Sequence, residues 1–283
     1  MVKKALYILA AALACSCGKL EIANMLFPYA QDVNERVEES LALNSGIGVT
    51  TLTVPSDSYR FYACSDIHIQ ENRPANFQAM VQKERADEGS FFYLLLGDVL
   101  FGKEHMEWVA DIMNAPENHP GFIIAGNHDI FYGGWEQWKV LFGSSTYYFF
   151  VQTPSARDIF IMLDSANGTL GEKQLEWLRD VLDKDRAGCR HCIVGVHTNM
   201  FRTDLSQFPS TNFTLEETYT LTSLFSKAGV DIVLSGHDHV RDVTPYDGVT
   251  YITLDQIKDG TSNASYLTVD VDDGVEFDFH AME

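Results

Sequence analysis

The sequence contains little positive charge. Lysine and arginine together number 20, against 40 aspartate and glutamate residues, so the formal net charge at pH 7 is −20. A chain this acidic repels polyanions, which argues against long nucleic acid and anionic membrane surfaces as partners. A small phosphorylated ligand remains compatible with this charge, provided that bound cations reverse the field where the ligand binds.

A long hydrophobic run is also missing. A helix needs about 20 apolar residues to span a bilayer, whereas the apolar run at residues 5–14 has ten residues and directly follows Lys3 and Lys4. A basic start, a short apolar stretch and then small residues are typical of a secretory signal peptide. We therefore expect residues 1–17 to be a signal peptide and the mature chain to contain no transmembrane helix.

Two cysteines end this first segment. Cys15 and Cys17 lie where a bacterial lipoprotein signal places its acylated cysteine, and we expect a lipid anchor at Cys17 or, failing that, at Cys15. An ordinary cleaved signal peptide is the alternative. The interpretation predicts export to the bacterial cell envelope or periplasm, where the lipoprotein type would tether the protein by lipid.

Cysteine is scarce in the rest of the chain, with only Cys64, Cys189 and Cys192. The last two have CxxC spacing, but no second CxxC pair completes a zinc site, and Cys192 begins an apolar run. An oxidising compartment could close a disulfide between them. We expect buried structural thiols instead.

Strand-like apolar runs alternate with helical segments from about residue 49 onward. The strand-like runs lie at 60–65, 91–96, 121–125, 147–152, 158–163, 191–196 and 231–234, and the helical segments at 75–87, 104–114, 135–142, 171–186 and 215–227. This alternation predicts an α/β fold whose helices cover the sheets.

Short strands without helices follow residue 239, at 249–254, 265–271 and 275–280. We expect them to form an extra antiparallel sheet at the C-terminus. No linker, internal repeat or low-complexity tract divides the chain. We therefore predict one domain over residues 49–283, preceded by a lead-in segment at 18–48 that docks on it.

Polar side chains gather at the carboxyl ends of the apolar runs, where loops converge and ligands bind in α/β sheets. The first run leads to Asp66 and His68, the second to Asp98, and the third to Asn127, His128 and Asp129, while two later runs lead to His197 and to His237, Asp238 and His239. Carboxylate, imidazole and amide groups are ligands of first-row metals. Such a cluster without cations would be strongly destabilising, so the five blocks together predict a metal site.

The order DxH, GD, GNHD, H and GHxH resembles the signature of the calcineurin-like metallophosphoesterases. The Leu163-Asp164-Ser165 strand end and the helix that contains Gln174 also resemble the family. The resemblance implies a four-layer α/β/β/α sandwich of two mixed sheets flanked by helices. It also implies two divalent metal ions, one held by Asp66, His68 and His239, the other by Asn127, His197 and His237, with Asp98 bridging both. Ligands without thiolate suit Mn, Fe, Zn or Co.

Two cations about 3.5–4 Å apart hold a water or hydroxide and the non-leaving phosphate oxygens, which supplies the nucleophile for in-line attack. By the resemblance, His128 faces the leaving group and protonates it or stabilises the transition state. Asp129 either orients His128 or is a simple loop carboxylate. The position of Asp238 between two ligands does not by itself make it a ligand.

Departures from the family pattern narrow the subgroup. Asp98 is followed by Val99, Leu100 and Phe101, without the Asp and Arg that protein Ser/Thr phosphatases have after this block. Purple acid phosphatases carry an iron-binding Tyr at the position of Phe101, so we expect no tyrosinate–iron colour.

Three aromatic residues, Tyr132, Trp135 and Trp138, lie just after the GNHD block. They could stack on a nucleobase or an aromatic leaving group. Their spacing also suits the buried side of a helix, and we expect packing.

The sequence thus predicts an exported hydrolase of small phosphomonoesters or phosphodiesters that uses a two-metal site. A nuclease of the same family is one alternative, although the net charge and the export signal argue against it. A catalytically silent metal-binding scaffold is another, and the presence of all five blocks argues against that.

Overall fold

The structure, a computed structural model, describes residues 31–100, 102–201 and 212–282. The predicted signal peptide, both candidate acylation sites (Cys15 and Cys17), and Phe101 lie outside the described residues.

Twelve strands occur in the described residues. In chain order they are β1 (Thr50–Thr53), β2 (Tyr59–Cys64), β3 (Ser90–Leu95), β4 (Gly121–Ile123), β5 (Tyr147–Gln152), β6 (Arg157–Met162), β7 (Cys192–Gly195), β8 (Ile232–Ser235), β9 (Asp242–Tyr246), β10 (Val249–Thr253), β11 (Ser265–Val271) and β12 (Val275–Ala281).

Six α-helices accompany the strands in the same part of the chain. They are α1 (Val33–Ile47), α2 (Ala75–Ala86), α3 (Lys103–Met113), α4 (Gly134–Leu141), α5 (Gly171–Lys184) and α6 (Leu215–Ala228), with a short 3₁₀ turn at Phe131–Gly133. The helices predicted at 75–87, 104–114, 135–142, 171–186 and 215–227 are confirmed to within three residues at their ends.

The strands form two mixed sheets. The larger has the order β1-β5-β6-β7-β8-β10-β9, and the smaller has the order β12-β11-β2-β3-β4. The pairs β2–β3, β3–β4, β6–β7, β7–β8 and β8–β10 are parallel. Parallel neighbours end at the same edge of a sheet, so the loops that follow them converge.

Three buried apolar clusters separate the layers. Between the two sheets, Phe61 and Phe92 of the smaller sheet pack against Phe149 and Phe160 of the larger. A second cluster lies between the smaller sheet and helices α2, α3 and α4, and a third between the larger sheet and helices α5 and α6. The α/β/β/α sandwich predicted from the sequence is therefore confirmed.

The C-terminal strands do not form a sheet of their own, so that prediction is wrong. Strand β10 pairs in parallel with β8, and β9 pairs with β10 at the edge of the larger sheet. Strand β11 pairs antiparallel with β2, which places β11 and β12 in the smaller sheet. The terminal strands thus extend both sheets, because each finds an open edge there.

Cys64, Cys189 and Cys192 are buried free thiols, as expected for structural cysteines. Over the described ranges, the helices are too short or too polar to cross a lipid bilayer.

Candidate metal centre

The seven predicted metal ligands lie together at the carboxyl ends of strands from both sheets. Asp66 and His68 follow β2, Asp98 follows β3, and Asn127 follows β4, all in the smaller sheet. His197 follows β7, and His237 and His239 follow β8, in the larger sheet. The fold thus brings together residues that are up to 173 positions apart (239 − 66).

One group of side chains consists of Asp66, His68, Asp98 and His239, each of which offers a ligand atom within 4.8 Å of the others. The Nε2 atoms of His68 and His239 are 2.9 Å apart. Asp66 Oδ1 lies 3.2 Å from His239 Nε2 and 3.6 Å from His68 Nε2. Two imidazole lone pairs at this distance need a proton or a cation between them.

A second group consists of Asp98, His197 and His237, again with ligand atoms within 4.8 Å of one another. His197 Nε2 lies 3.5 Å from Asp98 Oδ2, 3.2 Å from His237 Nδ1 and 3.1 Å from Asn127 Oδ1. Asp98 belongs to both groups. The two groups of possible ligands therefore share one carboxylate.

The charges in this centre favour bound cations. Burial alone would raise the pKa of Asp98, but the neighbouring His197 and His68 hold it well below its usual range. Burial would lower the pKa of His197, yet Asp98 raises it to about 10. The buried carboxylates thus draw positive charge into the centre, and a metal ion would supply that charge directly.

A buried polar atom gives a further test of fit. Asp66 is fully buried, and its Oδ1 atom accepts no hydrogen bond within the described structure. A buried carboxylate oxygen without such a bond is costly unless it coordinates a cation. Oxygen and nitrogen donors without thiolate suit first-row divalent metals, so these residues fit the expected ions.

The backbone of the centre is strained. Eight residues other than glycine in the described structure have positive φ, and five of them are predicted ligands, namely Asp66, His68, Asp98, His237 and His239. A left-handed backbone is uncommon for such residues, and concentrated strain marks functional sites.

Two glycines of the motifs are required by close approach between loops. A Cβ atom on Gly126 would overlap Asp98 Oδ1, and one on Gly236 would overlap Ser65 Oγ and Asp66 Oδ2. Only glycine therefore lets the loops after β4 and β8 approach the acidic loops.

Hydrogen bonds to other groups orient the ligands. His197 Nδ1 donates to the carbonyl of Leu96 at 2.7 Å, which leaves its Nε2 lone pair facing the centre. The backbone N–H of His237 donates to Asp66 Oδ2 at 2.9 Å. Such outer contacts fix the ring orientation and the position of metal ligands.

His128 lies beside the centre and belongs to neither group of ligand atoms. Its ring makes edge contacts with the rings of His68 and Phe131, with centroids 4.9 and 5.1 Å apart. Its backbone N–H donates to Asp98 Oδ1 at 2.9 Å. The imidazole is thus held at the rim of the centre.

Asp129 contacts the backbone of both neighbouring loops. Its Oδ2 atom accepts from the N–H groups of Gly126 (2.7 Å) and Asp98 (2.8 Å), and its Oδ1 atom accepts from Leu100 (3.0 Å). Burial and the charge of Asp98 raise the pKa of Asp129 to about 7. The carboxylate therefore ties the loop of Asp98 to the loop of Asn127.

The aromatic residues after the GNHD block separate into two kinds. Trp135 and Trp138 are buried, as expected from their helical spacing. Tyr132 is 68% exposed and has a φ of 52°, so the prediction of packing is wrong for this residue. The 3₁₀ turn before α4 breaks the helical period and rotates Tyr132 outward.

Two positioning residues were not assigned a role from the sequence. Ser165 Oγ accepts from the backbone N–H groups of His197 (3.0 Å) and Thr198 (2.9 Å). Asn199 donates from Nδ2 to Asp238 Oδ2 at 3.0 Å, which makes Asp238 a partner of the loop after β7. Ser165 lies in the Leu163-Asp164-Ser165 strand end and Asn199 lies two residues after His197, which are the sequence signals that could have indicated them.

Comparison with known proteins agrees with this geometry. The family model for calcineurin-like phosphoesterases matches residues 59–241. A comparison with curated protein sequences finds no significant match.

Solved structures share the fold at low sequence identity. GAP50, the anchor in the inner membrane complex of Plasmodium, has a TM-score of 0.59 and 16% identity over 79% of this chain and 84% of that one. A dimetal phosphatase from Danio rerio has a TM-score of 0.58 and 13% identity over 79% and 96%. A purple acid phosphatase from yellow lupin has a TM-score of 0.60 and 14% identity over 81% and 52%.

Proposed function

This chain belongs to the calcineurin-like phosphoesterase family, and on that premise we propose that it is a metal-dependent hydrolase of small phosphomonoesters or phosphodiesters. The observation that carries the proposal is the pair of ligand groups that share Asp98. The second group is buried and the first is partly open to solvent at His68 and His239. Both lie at the convergent ends of parallel strands, where substrates bind in α/β folds.

Each ion would have its own set of ligands. Asp66, His68 and His239 would hold one, and Asn127, His197 and His237 would hold the other, with Asp98 between them. Bound divalent cations would polarise the phosphoryl oxygens and lower the pKa of a water molecule to supply the nucleophile.

The protein residues would divide the remaining work. His128 lies at the rim, next to His68 but outside both ligand groups, where it can donate a hydrogen bond to the leaving oxygen. Asp129 would act through the backbone, because its carboxylate holds the loops of Asp98 and Asn127. These backbone contacts would make Asp129 a positioning residue, not an acid–base partner of His128.

We propose small substrates because the charge of −20 disfavours polyanions. The test is a screen of phosphomonoesters, phosphodiesters, cyclic nucleotides and phospholipid headgroups, with Mn²⁺, Fe²⁺, Zn²⁺ or Co²⁺ added singly to metal-free protein. Metal-dependent turnover of a small ester supports the proposal. Metal binding without turnover of any substrate would instead support a scaffold, and cleavage confined to DNA would support a nuclease.

We also propose that residues 1–17 are a lipoprotein-type signal that directs export to the cell envelope. The support is the basic, apolar and small-residue pattern that ends in Cys15 and Cys17. Incorporation of labelled fatty acid that is lost in Cys17→Ala and kept in Cys15→Ala would support attachment at Cys17. Absence of labelling in the full-length chain expressed in a bacterium would contradict it.

A further inference from the structure

Helix α1 lies outside the residues that match the family, yet it is anchored by buried polar residues. Arg36 and Ser40 are both fully buried. Burying a guanidinium costs free energy unless the group is paired, so the partners of Arg36 indicate how α1 is anchored. We propose that α1 positions one of the two metal sites, through its two ligands Asn127 and His197. This inference rests on the proposed two-metal function.

The first connection begins at Arg36. Its Nε and Nη2 atoms donate to the two carboxylate oxygens of Asp164, at 2.9 and 2.8 Å. Asp164 is fully buried and lies just past the end of β6. Gln174 fixes the same residue by accepting from its backbone N–H at 2.8 Å and donating to its carbonyl at 2.7 Å. The fork of Arg36 therefore sets the position of this strand end.

The residue after Asp164 continues the connection to the metal centre. Ser165 Oγ accepts from the backbone N–H of His197 at 3.0 Å, and the Ser165 carbonyl accepts from Thr198 Oγ1 at 2.8 Å. His197 Nε2 faces Asp98 and Asn127. A shift of Asp164 would thus move the backbone that carries His197.

The second connection begins one turn further along α1. Ser40 Oγ accepts from the backbone N–H of Ser145 at 3.2 Å, and Ser145 Oγ accepts from the backbone N–H of Ala125 at 2.9 Å. Ala125 lies two residues before Asn127. Asn44 adds a bond from its Nδ2 atom to the Thr146 carbonyl at 2.7 Å.

Both connections end at the backbone of loops that carry ligands of the same proposed metal site, the first at His197 and the second two residues before Asn127. Within the described ranges, no hydrogen bond from an α1 side chain reaches the loops at 65–69 or 236–239, which carry Asp66, His68 and His239. Outer contacts of this kind set the position of ligands. Loosening α1 should therefore weaken the site of Asn127 and His197 while sparing the other.

The experiment titrates metal-free full-length chain with Mn²⁺ by isothermal calorimetry. The variants are Arg36→Met, Arg36→Lys and Ser40→Ala, and the matched control is Glu35→Gln, an exposed neighbour on the same helix. We expect wild type and control to bind two ions. Arg36→Met should bind the first ion normally and the second about tenfold or more weakly. Arg36→Lys and Ser40→Ala should show the same selective loss to a smaller extent.

The inference is overturned if folded variants bind the second ion as tightly as wild type, or if both sites weaken equally. Should Arg36→Met fail to fold, Ser40→Ala decides, because it removes one hydroxyl and leaves the buried ion pair intact. Binding of fewer than two ions by the wild-type chain would contradict the proposed function itself. That outcome can be distinguished from failure of this inference alone, in which wild type and the variants all bind two ions with the same affinities.

Discussion

Asp129 accepts a hydrogen bond from the backbone N–H of Asp98, 31 residues earlier in the chain, at 2.8 Å. The same carboxylate accepts from Gly126 and Leu100, so it serves three backbone groups at once. These three bonds favour a role for Asp129 in holding the loop of Asp98 over a role in orienting His128.

Replacing Asp129 by Asn should lower the free energy of unfolding by about 1–3 kcal/mol, because the amide nitrogen cannot accept and leaves a buried N–H unpaired. Metal affinity should fall as well. Chemical denaturation and Mn²⁺ titration measure both, with the exposed Glu104→Gln as control. A lower kcat with unchanged stability and metal binding would instead favour a role in orienting His128.

Replacing Asp98 by Ala should abolish hydrolysis and reduce metal content while the protein remains folded. Asp98 contributes to both ligand groups, so its loss should affect both of the proposed ions. Elemental analysis, circular dichroism and an ester-hydrolysis assay test this, with Asp111→Ala as control because Asp111 forms an exposed ion pair with Arg73. Normal turnover in Asp98→Ala would refute the shared-carboxylate assignment.

Replacing His128 by Ala should lower kcat by about 10²–10⁴-fold, as for the loss of one acid–base group. Both ions should remain, because His128 lies outside the ligand groups. The measurements are kcat and metal content, compared with His280→Ala, whose imidazole bonds to Thr268 in the terminal hairpin of β11 and β12. Loss of an ion from His128→Ala would show that His128 is a ligand.

Replacing Gly236 by Ala should weaken metal binding by about tenfold or more, since the new methyl group would overlap Ser65 and Asp66. Gly46→Ala is the matched control, because a Cβ there meets nothing within 4 Å and Ala favours a helix. Calorimetric Mn²⁺ titration compares the two. Equal affinities in both variants would show that the loops tolerate a wider spacing.

Removing bound metal should lower the melting temperature, and adding Mn²⁺ should restore it. At a free concentration of 100 times the dissociation constant, one site stabilises the folded state by about 2.7 kcal/mol. Differential scanning calorimetry before and after chelation measures the effect. An unchanged melting temperature in Asp98→Ala and a raised one in wild type would tie the effect to this centre.

The sequence predicted the centre because its residues follow apolar runs, and each run can be recognised as a strand from its local sequence. The runs that precede Asp66, Asp98 and His197 each become a buried strand, and the ends of parallel strands meet at one edge. Local pattern and overall topology therefore indicated the same site.

The pairing of strands that are distant in the sequence could not be predicted in the same way. The pattern of Ser265–Val271 indicates a strand, but nothing in it specifies β2, some 200 residues earlier, as the neighbour. The edge strands β1 and β9 were missed because they are mostly exposed and lack an apolar pattern. Periodicity reports which face is buried and not which partner buries it.

The sequence predicted that the lead-in segment docks on the domain, but it did not predict the contacts by which α1 does so. Its apolar residues Val33 and Val37 have a modest helical rhythm, while the contacts that connect it to the centre are polar. The sequence alone does not distinguish a buried arginine from an exposed one. Its partner, Asp164, is 128 residues away.

We propose above that Asp98 lies between two cations. Anomalous diffraction from crystals of the wild-type chain grown with Mn²⁺ can locate these ions. We predict two peaks, one beside Asp66, His68 and His239 and the other beside Asn127, His197 and His237, with Asp98 contacting both. A folded, active protein with no peak at Asp98 would contradict the claim.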